Sequence, residues 1–194
     1  MSLATRTIVQ AVYELASADD RIVGSTGLIS RHLHDFARND ARCFYMIGSM
    51  GLALPLAVGI ATAAPRGRTI VLDGDGAILM GAASLVLAGD LRPLPLHHVV
   101  IANAQYASTG GQLLPGRAAD LVLFAKAAGY VHAERIADAG ALQSSAASLW
   151  QGQGPTMLVV DANDVAQKMP PRVIPTAEEI ATAFRERARG GGDA

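Results

Sequence analysis

Residues 69–77 read Thr69-Ile70-Val71-Leu72-Asp73-Gly74-Asp75-Gly76-Ala77. Four β-branched or apolar residues lead directly into Asp-Gly-Asp-Gly, and an Ala-, Leu- and Met-rich segment follows at once. This order predicts a buried strand, a tight turn and the start of a helix, as in a parallel α/β sheet. A second apolar run, from His97 to Ala102, ends in Asn103. Because open α/β sheets bind ligands beyond the carboxyl ends of their strands, Asp75 and Asn103 are candidate site residues.

The residue types at these two strand ends suit a metal diphosphate. Gly74 and Gly76 let the backbone approach an anion closely, and the N–H groups that open a helix favour phosphate oxygens. Asp75 offers a carboxylate oxygen, Asn103 an amide oxygen, and the main chain at Gln105 a third oxygen. Oxygen ligands combined with phosphate are typical of Mg²⁺ rather than of zinc or iron. The alternative is that Asp-Gly-Asp-Gly is only a turn and Asn103 only a loop cap.

A family resemblance rests on three segments. The motif Gly74-Asp75-Gly76, followed after 26 residues by Asn103, resembles the thiamine diphosphate (TPP) motif of 2-keto acid decarboxylases and related enzymes. Upstream, Gly48-Ser49-Met50-Gly51 lies where that family holds the pyrimidine ring of the coenzyme. Downstream, residues 106–112 resemble the loop of sulfopyruvate and phosphonopyruvate decarboxylases. The resemblance extends from about Thr5 to Ala183, and the chain is similar to the diphosphate-binding (PP) domain of these enzymes.

The resemblance implies the cofactors TPP and Mg²⁺ and assigns roles to single residues. Asp75, Asn103 and the Gln105 carbonyl would bind Mg²⁺. Gly48 would accept a hydrogen bond from the pyrimidine amino group, and Met50 would support the bent coenzyme, although a Met at this place is also typical of core packing. The implied coenzyme-binding residues are Ser25, Thr26, Gly48, Ser49, Met50, Gly74, Asp75, Gly76, Ala77, Asn103, Gln105 and Tyr106.

Two groups of polar residues have weaker assignments. In the TPP family a polar loop after the first strand approaches the diphosphate, which implies contacts from Ser25 and Thr26. A turn followed by a helix cap explains these two residues equally well. A sulfonate or phosphonate substrate needs cationic or amide donors near the coenzyme. The candidate substrate-binding residues in the downstream loop are Ser108, Thr109, Gln112 and Arg117.

The catalytic glutamate of the family is a further implied requirement, and it comes from a second, pyrimidine-binding domain. The glutamates of this chain lie in no matching motif and not beside the segments above. We therefore expect the chain to be the diphosphate-binding half alone, with the glutamate supplied by a separate α subunit. Without that partner the chain is expected to form homo-oligomers. The glutamates are Glu14, Glu134, Glu178, Glu179 and Glu186.

Other functions stay open at this level. One is a non-catalytic module that binds TPP and Mg²⁺. Another is the PP subunit of a different TPP enzyme, such as an acetolactate synthase-like enzyme or a keto acid oxidoreductase. A third is an α/β phosphoryl-transfer or metal-phosphate domain that uses Gly-Asp-Gly.

Length and composition limit the alternatives further. The 194 residues predict one α/β domain that spans 1–194. A hydrophobic content of 51% with 17% charged residues predicts a well-buried core and an apolar surface for a partner. The net charge of −1 gives no electrostatic case for nucleic acid. Apolar stretches are interrupted well short of a membrane span and no basic-then-apolar leader precedes them, so a cytoplasmic location is expected.

The rest of the chain alternates strand and helix patterns. This alternation predicts a doubly wound, mostly parallel six-stranded sheet with helices on both faces, the TPP-binding fold of a PP domain. Thr176 and Glu179 have the spacing of a capping box for the last helix, and the tail from about 188 to 194 is expected to be disordered. The helix after Gly76 is expected to reach about Ala88 and to bury Leu79, Ala82, Ala83, Val86 and Leu87.

Overall fold

The computed structural model of the chain describes residues 3–38, 40–115, 119–163 and 169–190. The helices are α1 (Thr5–Leu15), α2 (Leu28–Ala37), α3 (Ala53–Ala63), α4 (Asp75–Met80), α5 (Ala83–Asp90), α6 (Leu121–Ala127), α7 (Ala139–Leu149) and α8 (Ala177–Gly190). The strands are β1 (Arg21–Gly24), β2 (Cys43–Tyr45), β3 (Thr69–Gly74), β4 (Leu96–Ala102), β5 (Gln105–Tyr106), β6 (Gln112–Leu113), β7 (His132–Ile136) and β8 (Thr156–Asp161).

Six strands form one parallel sheet within these described ranges, in the order β2-β1-β3-β4-β8-β7. The two central strands, β3 and β4, pair from Thr69 opposite Leu96 to Gly74 opposite Ile101. Their near-continuous apolar sequences are typical of strands that are covered on both faces. The predicted doubly wound, six-stranded sheet is thereby confirmed.

Helices cover both faces of the sheet. On one face, helices α1, α2 and α7 pack over a buried cluster that contains Ile70 and Leu72 of β3. On the other face, helices α3, α5 and α6 pack over a cluster that contains Val71. Alternate residues of β3 enter the two clusters because successive side chains of a strand point to opposite faces. The apolar run before the turn therefore anchors both halves of the core and fixes the position of Asp75.

The segment after the Asp-Gly-Asp-Gly turn differs from the expected single helix. It is divided into α4 and α5, which meet at Gly81. A Cβ atom on Gly81 would overlap the backbone of Gly51, so the turn before α3 packs directly against this break. The break changes the face that α5 presents to the sheet, and Leu85 is the large residue that it buries. Three residues expected to face inward are exposed instead: Ala83, Val86 and Leu87.

The last helix begins as predicted. The Thr176 hydroxyl accepts a hydrogen bond from the Glu179 N–H, and the Glu179 carboxylate accepts one from the Thr176 N–H, which completes the capping box. Helix α8 continues to Gly190, so it includes the first residues of the expected tail, and residues 191–194 lie outside the described residues. Within the described ranges, none of the helices combines the length and the apolar character needed to cross a membrane.

Candidate active site

A cleft lies at the carboxyl ends of β1, β3 and β4, and we call it the carboxyl-end cleft. The segments that follow these three strands reach it because parallel strands end at the same edge of the sheet, and Thr5 and Met50 complete the lining. Most of the coenzyme-binding residues predicted from the sequence meet here. The cleft is lined by Thr5, Ser25, Thr26, Leu28, Ile29, Met50, Gly74, Asp75, Gly76, Ala77, Ile101, Asn103, Gln105, Tyr106, Ala107, Ser108 and Thr109.

Asp75 is the carboxylate at the base of this cleft. Its side chain is only 8% exposed, and it accepts hydrogen bonds from two backbone N–H groups, that of Gly76 at 2.8 Å and that of Ala104 at 2.7 Å. Burial raises the pKa of Asp75 above its usual value, and the two backbone donors oppose that effect. The carboxylate is therefore held in one orientation by both strand ends.

The turn after β4 depends on an unusual backbone conformation at Ala104. Its φ angle is +58°, in the left-handed region that non-glycine residues rarely adopt. This conformation directs the Ala104 N–H to Asp75, while the Ala104 carbonyl accepts a hydrogen bond from Leu114 at 3.0 Å. The Asn103 amide oxygen accepts a hydrogen bond from the Gln105 N–H at 3.2 Å. Sequence reasoning did not find Ala104, because an alanine carries no signal for a left-handed turn.

Gly76 has a steric role that the sequence did not reveal. A Cβ atom at this position would lie 2.6 Å from Cε1 of Tyr106 and 2.9 Å from Cδ2 of Leu114. The Tyr106 ring thus packs directly over the Asp-Gly-Asp-Gly turn, where a side chain would push it away. By contrast, the nearest atom to a Cβ on Gly74 would be Cδ1 of Ile29 at 3.8 Å, an ordinary contact.

The segment predicted to hold the pyrimidine ring divides into two parts. Met50 is half-buried and lines the carboxyl-end cleft, and it belongs to neither of the two core clusters. Gly48 and Ser49 are exposed and lie outside the cleft lining. Ser49 and Gly51 have φ angles of +60° and +89°, so a tight turn presents Met50 towards the cleft. The structure therefore brings one of the three predicted pyrimidine-site residues to the cleft.

The turn after β1 forms a further part of the cleft wall. Ser25 is buried and Thr26 is half-buried, and both line the cleft. Gly27 follows with a φ of +81°, and a Cβ atom on it would lie 2.8 Å from the Ser108 hydroxyl oxygen. The segment that carries Ser108 therefore closes directly onto this turn. Ser25 does not cap α2, which begins at Leu28 after Gly27.

The residues predicted to bind substrate lie around a short ribbon formed by β5 and β6. Ser108 and Thr109 line the carboxyl-end cleft. Gln112 is exposed, and its side-chain amide donates a hydrogen bond to the Thr109 carbonyl at 3.2 Å. The remaining prediction, Arg117, lies outside the described residues.

The comparisons with known proteins agree with this geometry. The family model "Thiamine pyrophosphate enzyme, C-terminal TPP binding domain" matches residues 23–160. The chain belongs to this family. The match begins within β1 and ends within β8, so it includes all three strand ends that form the carboxyl-end cleft.

Several curated relatives are similar in sequence. The chain is 35% identical over 169 residues to a phosphonopyruvate decarboxylase of Streptomyces viridochromogenes, which covers 86% of this chain and 42% of the relative. It is 39% identical over 112 residues to the sulfopyruvate decarboxylase subunit beta of Methanothermobacter thermautotrophicus, which covers 58% of this chain and 60% of the relative. The chain thus spans less than half of the first relative and about three fifths of the second.

The solved structures show the same fold. Benzoylformate decarboxylase from Polynucleobacter necessarius matches with a TM-score of 0.71 at 19% sequence identity. The match covers 89% of this chain and 35% of that chain. At this level of identity the likeness defines the fold of the domain and not its substrate.

Proposed function

We propose that the chain is the TPP-binding subunit of a TPP- and Mg²⁺-dependent 2-keto acid decarboxylase that acts on sulfopyruvate or phosphonopyruvate. The observation that carries this proposal is the convergence of Asp75, Asn103 and Gln105 on one cleft at adjacent strand ends. The names of the phosphonopyruvate decarboxylase and sulfopyruvate decarboxylase beta relatives support the substrate class.

The donor set of the carboxyl-end cleft suits Mg²⁺ with a diphosphate. The Asp75 carboxylate, the Asn103 amide oxygen and the Gln105 carbonyl would bind the metal, and all three are oxygen donors of the kind that Mg²⁺ prefers. Ser25 and Thr26 in the turn after β1 would contact the diphosphate. When it is bound, TPP supplies the electron sink for the loss of carbon dioxide.

Recognition of the anionic end of the substrate must involve groups beyond this lining. Among the described residues that line the cleft, none is Lys or Arg. Ser108 and Thr109 can donate hydrogen bonds, but a sulfonate or phosphonate is bound best by cationic donors. We therefore assign the cation to Arg117, to the partner subunit, or to both.

A separate pyrimidine-binding subunit would complete the enzyme. Among the described residues that line the cleft, none is a glutamate, so the glutamate that the family uses on the aminopyrimidine ring would come from the partner. Three relatives carry the name "subunit beta", which supports a two-subunit arrangement. In the absence of this α subunit we propose that the chain forms homo-oligomers.

Turnover measured with and without the partner tests the proposal. The purified chain with TPP and Mg²⁺ should bind the coenzyme in calorimetry but should not decarboxylate sulfopyruvate or phosphonopyruvate. Addition of the α subunit should produce turnover of one of them. Robust turnover by this chain alone would show that the proton relay lies within its own sequence, and the two-subunit proposal would be wrong. Coenzyme binding with no turnover in the presence of the partner would favour a non-catalytic TPP-binding module.

A further inference from the structure

A second cavity lies at the opposite edge of the sheet from the carboxyl-end cleft, and we call it the arginine cavity. Its volume is about 380 Å³, which lies within the range of about 300–1,000 Å³ that is usual for small-molecule sites. Residues at the amino ends of neighbouring strands form its wall, together with the end of α8. The arginines that line it are Arg21, Arg42, Arg66, Arg68 and Arg187.

The register of the parallel sheet places three of these arginines side by side. Arg21 begins β1, Arg42 immediately precedes β2 and Arg68 immediately precedes β3, and these strands are neighbours in the order β2-β1-β3. The Arg21 N–H donates to the Arg68 carbonyl at 2.8 Å, and the Ile22 N–H donates to the Arg42 carbonyl at 2.8 Å. Regular strand pairing therefore fixes the row of arginines.

Two of the five guanidinium groups are neutralised within the fold. Arg68 pairs with Asp20, whose side chain is 1% exposed, and Arg42 pairs with Asp40 at 2.7 Å. Burial alone would raise the pKa of Asp20, but the hydrogen bonds from Arg68 and Ser17 outweigh it and hold that pKa below its usual value. Asp20 is therefore ionised at neutral pH, and its negative charge balances the positive charge of Arg68.

The other three guanidinium groups lack a carboxylate partner among the described residues. Arg21 donates to the Arg66 carbonyl at 2.7 Å, and Arg187 donates to the Ala18 carbonyl at 2.9 Å, so both are oriented by neutral acceptors. Arg66 makes no ion pair with any residue that the structure describes. Asp19 contributes the one further carboxylate among the described residues of the cavity lining. These described residues thus carry a net positive charge.

The turn that carries Arg66 packs closely against the backbone of Asp19. Gly67 has a φ of +72°, and a Cβ atom on it would overlap the Asp19 carbonyl. The backbone of this turn therefore packs tightly against Asp19, with Arg66 on one side of the glycine and Arg68 on the other. Only glycine allows both the left-handed conformation and this close approach.

We propose that the arginine cavity binds a small anion with two or more linked phosphate groups, such as pyrophosphate or the phosphate chain of a nucleotide. Guanidinium groups form paired hydrogen bonds with phosphate oxygens. Three guanidinium groups against one carboxylate match an anion with at least two charges better than a single carboxylate ligand. This site is separate from the coenzyme site, since it lies at the amino ends of the strands rather than at their carboxyl ends.

Calorimetric titration without Mg²⁺ tests this site directly. Inorganic pyrophosphate, ADP and ATP are titrated at low salt into the wild-type chain and into Asp75→Ala, in which the proposed metal ligand of the coenzyme site is removed. We expect one pyrophosphate per chain in both proteins, with binding that weakens as salt is added. Tighter binding of ADP or ATP than of pyrophosphate would identify a nucleotide as the source of the phosphates, and equal binding would identify the phosphate chain alone as the recognised group.

The variants separate this site from nonspecific attraction. The double substitution Arg66→Gln and Arg187→Gln removes two guanidinium groups that make no ion pair with any described residue, and binding should weaken by about tenfold or more. Arg92→Gln is the matched control, because the Arg92 guanidinium also donates to a carbonyl, that of Gly129, but lies outside the cavity. Binding should be unchanged in this control. Absence of binding at millimolar pyrophosphate, or an equal effect of both changes, would overturn the proposal. Binding of TPP with Mg²⁺ should be unaffected by the double substitution. The proposal for the arginine cavity can therefore be refuted without refuting the proposed coenzyme site.

Discussion

The carboxylate of Asp75 accepts a hydrogen bond from the backbone N–H of Ala104 at 2.7 Å, and this bond joins the turn after β3 to the turn after β4. The bond is formed in a largely buried setting, where an unpaired carboxylate would be costly. The orientation of the carboxylate is therefore set by the protein before any metal binds. Preorganised oxygen donors of this kind are what a metal diphosphate site requires.

Removal of the Asp75 charge should abolish metal-dependent coenzyme binding. In Asp75→Asn the side chain keeps its size but loses the anionic oxygen that we assign to Mg²⁺. Calorimetric titration of TPP with and without Mg²⁺ should then give the same weak affinity. Asp138→Asn is a matched control, because Asp138 also accepts a backbone N–H, that of Ala141 at 2.9 Å, at an exposed helix start. Unchanged Mg²⁺-dependent affinity in Asp75→Asn would refute the ligand assignment.

Met50→Ala should weaken TPP binding strongly and lower the free energy of unfolding only slightly. Met50 is half-buried and packs in neither core cluster, so its truncation should destabilise the chain by less than the roughly 2–5 kcal/mol typical of a core residue. Leu85→Ala is the comparison, since Leu85 is 1% exposed. Urea unfolding and TPP titration of both variants check this. A strong loss of stability with normal TPP binding would show that Met50 contributes to core packing and not to the coenzyme site.

Gly76→Ala should disturb the site through Tyr106. The added methyl group would lie 2.6 Å from Cε1 of Tyr106, and overpacking of this kind costs about 1–3 kcal/mol. We expect weaker TPP binding together with a lower free energy of unfolding, because Tyr106 lines the cleft and must move to admit the methyl group. Gly59→Ala is the control, because nothing lies within 4 Å of a Cβ on this residue of α3, and alanine there should stabilise the helix. Normal TPP binding by Gly76→Ala would show that Tyr106 can move without consequence.

The sequence was sufficient to predict the sheet and the convergence of the strand ends. The apolar runs 69–72 and 97–102 determine two buried neighbouring strands, and the positions of Asp75 and Asn103 follow from the geometry of any parallel sheet. These predictions depend on local patterns, which the chain carries within a few residues.

The features that the sequence did not predict depend on contacts between distant segments. Helix α4 ends where Gly81 packs against the backbone of Gly51. The helical periodicity of residues 75–90 gives no sign of this contact with a distant segment. The left-handed conformation of Ala104 is stabilised by its bonds to Asp75 and Leu114 rather than by its own residue type. Val86, expected to be buried, is exposed on α5, the helix that follows the break at Gly81.

The exposed apolar side chains on α4 and α5 should mediate self-association of the chain. Met80, Val86 and Leu87 are 61%, 60% and 45% exposed and lie within eight residues of one another on two consecutive helices. Grouped apolar side chains of this kind are typical of protein–protein contacts. Val86→Glu should lower the mass measured by light scattering after gel filtration if this face joins copies of the chain. Ile174→Glu is the control, because Ile174 is 84% exposed before α8 and should not alter the mass. Equal masses for wild type and Val86→Glu would exclude this face as the contact.

The buried His97 should make the stability of the chain depend on pH between about 6.5 and 4. Its side chain is 1% exposed, and its Nδ1 lies 2.9 Å from the Thr156 hydroxyl. Burial, together with the charge of Arg68, lowers the pKa of His97 from 6.5 to about 4. In this pH range the unfolded chain binds a proton that the folded chain does not, so stability falls as the pH falls. The contribution is fully present above the unfolded pKa and is lost towards the folded pKa, a change of about 3 kcal/mol.

Urea unfolding at several pH values from 8 to 4.5 measures this contribution in the wild type and in His97→Asn. Asparagine can still bond to Thr156 but has no proton to gain, so its free energy of unfolding should fall less between pH 7 and pH 5. Asp20 acts in a separate range: its lowered pKa stabilises the fold above its unfolded value of 3.8, and this contribution is lost at still lower pH. Every other titrating group is common to both proteins and cancels in the difference. Parallel curves for the two proteins between pH 7 and pH 5 would mean that His97 takes up its proton in the folded state without penalty.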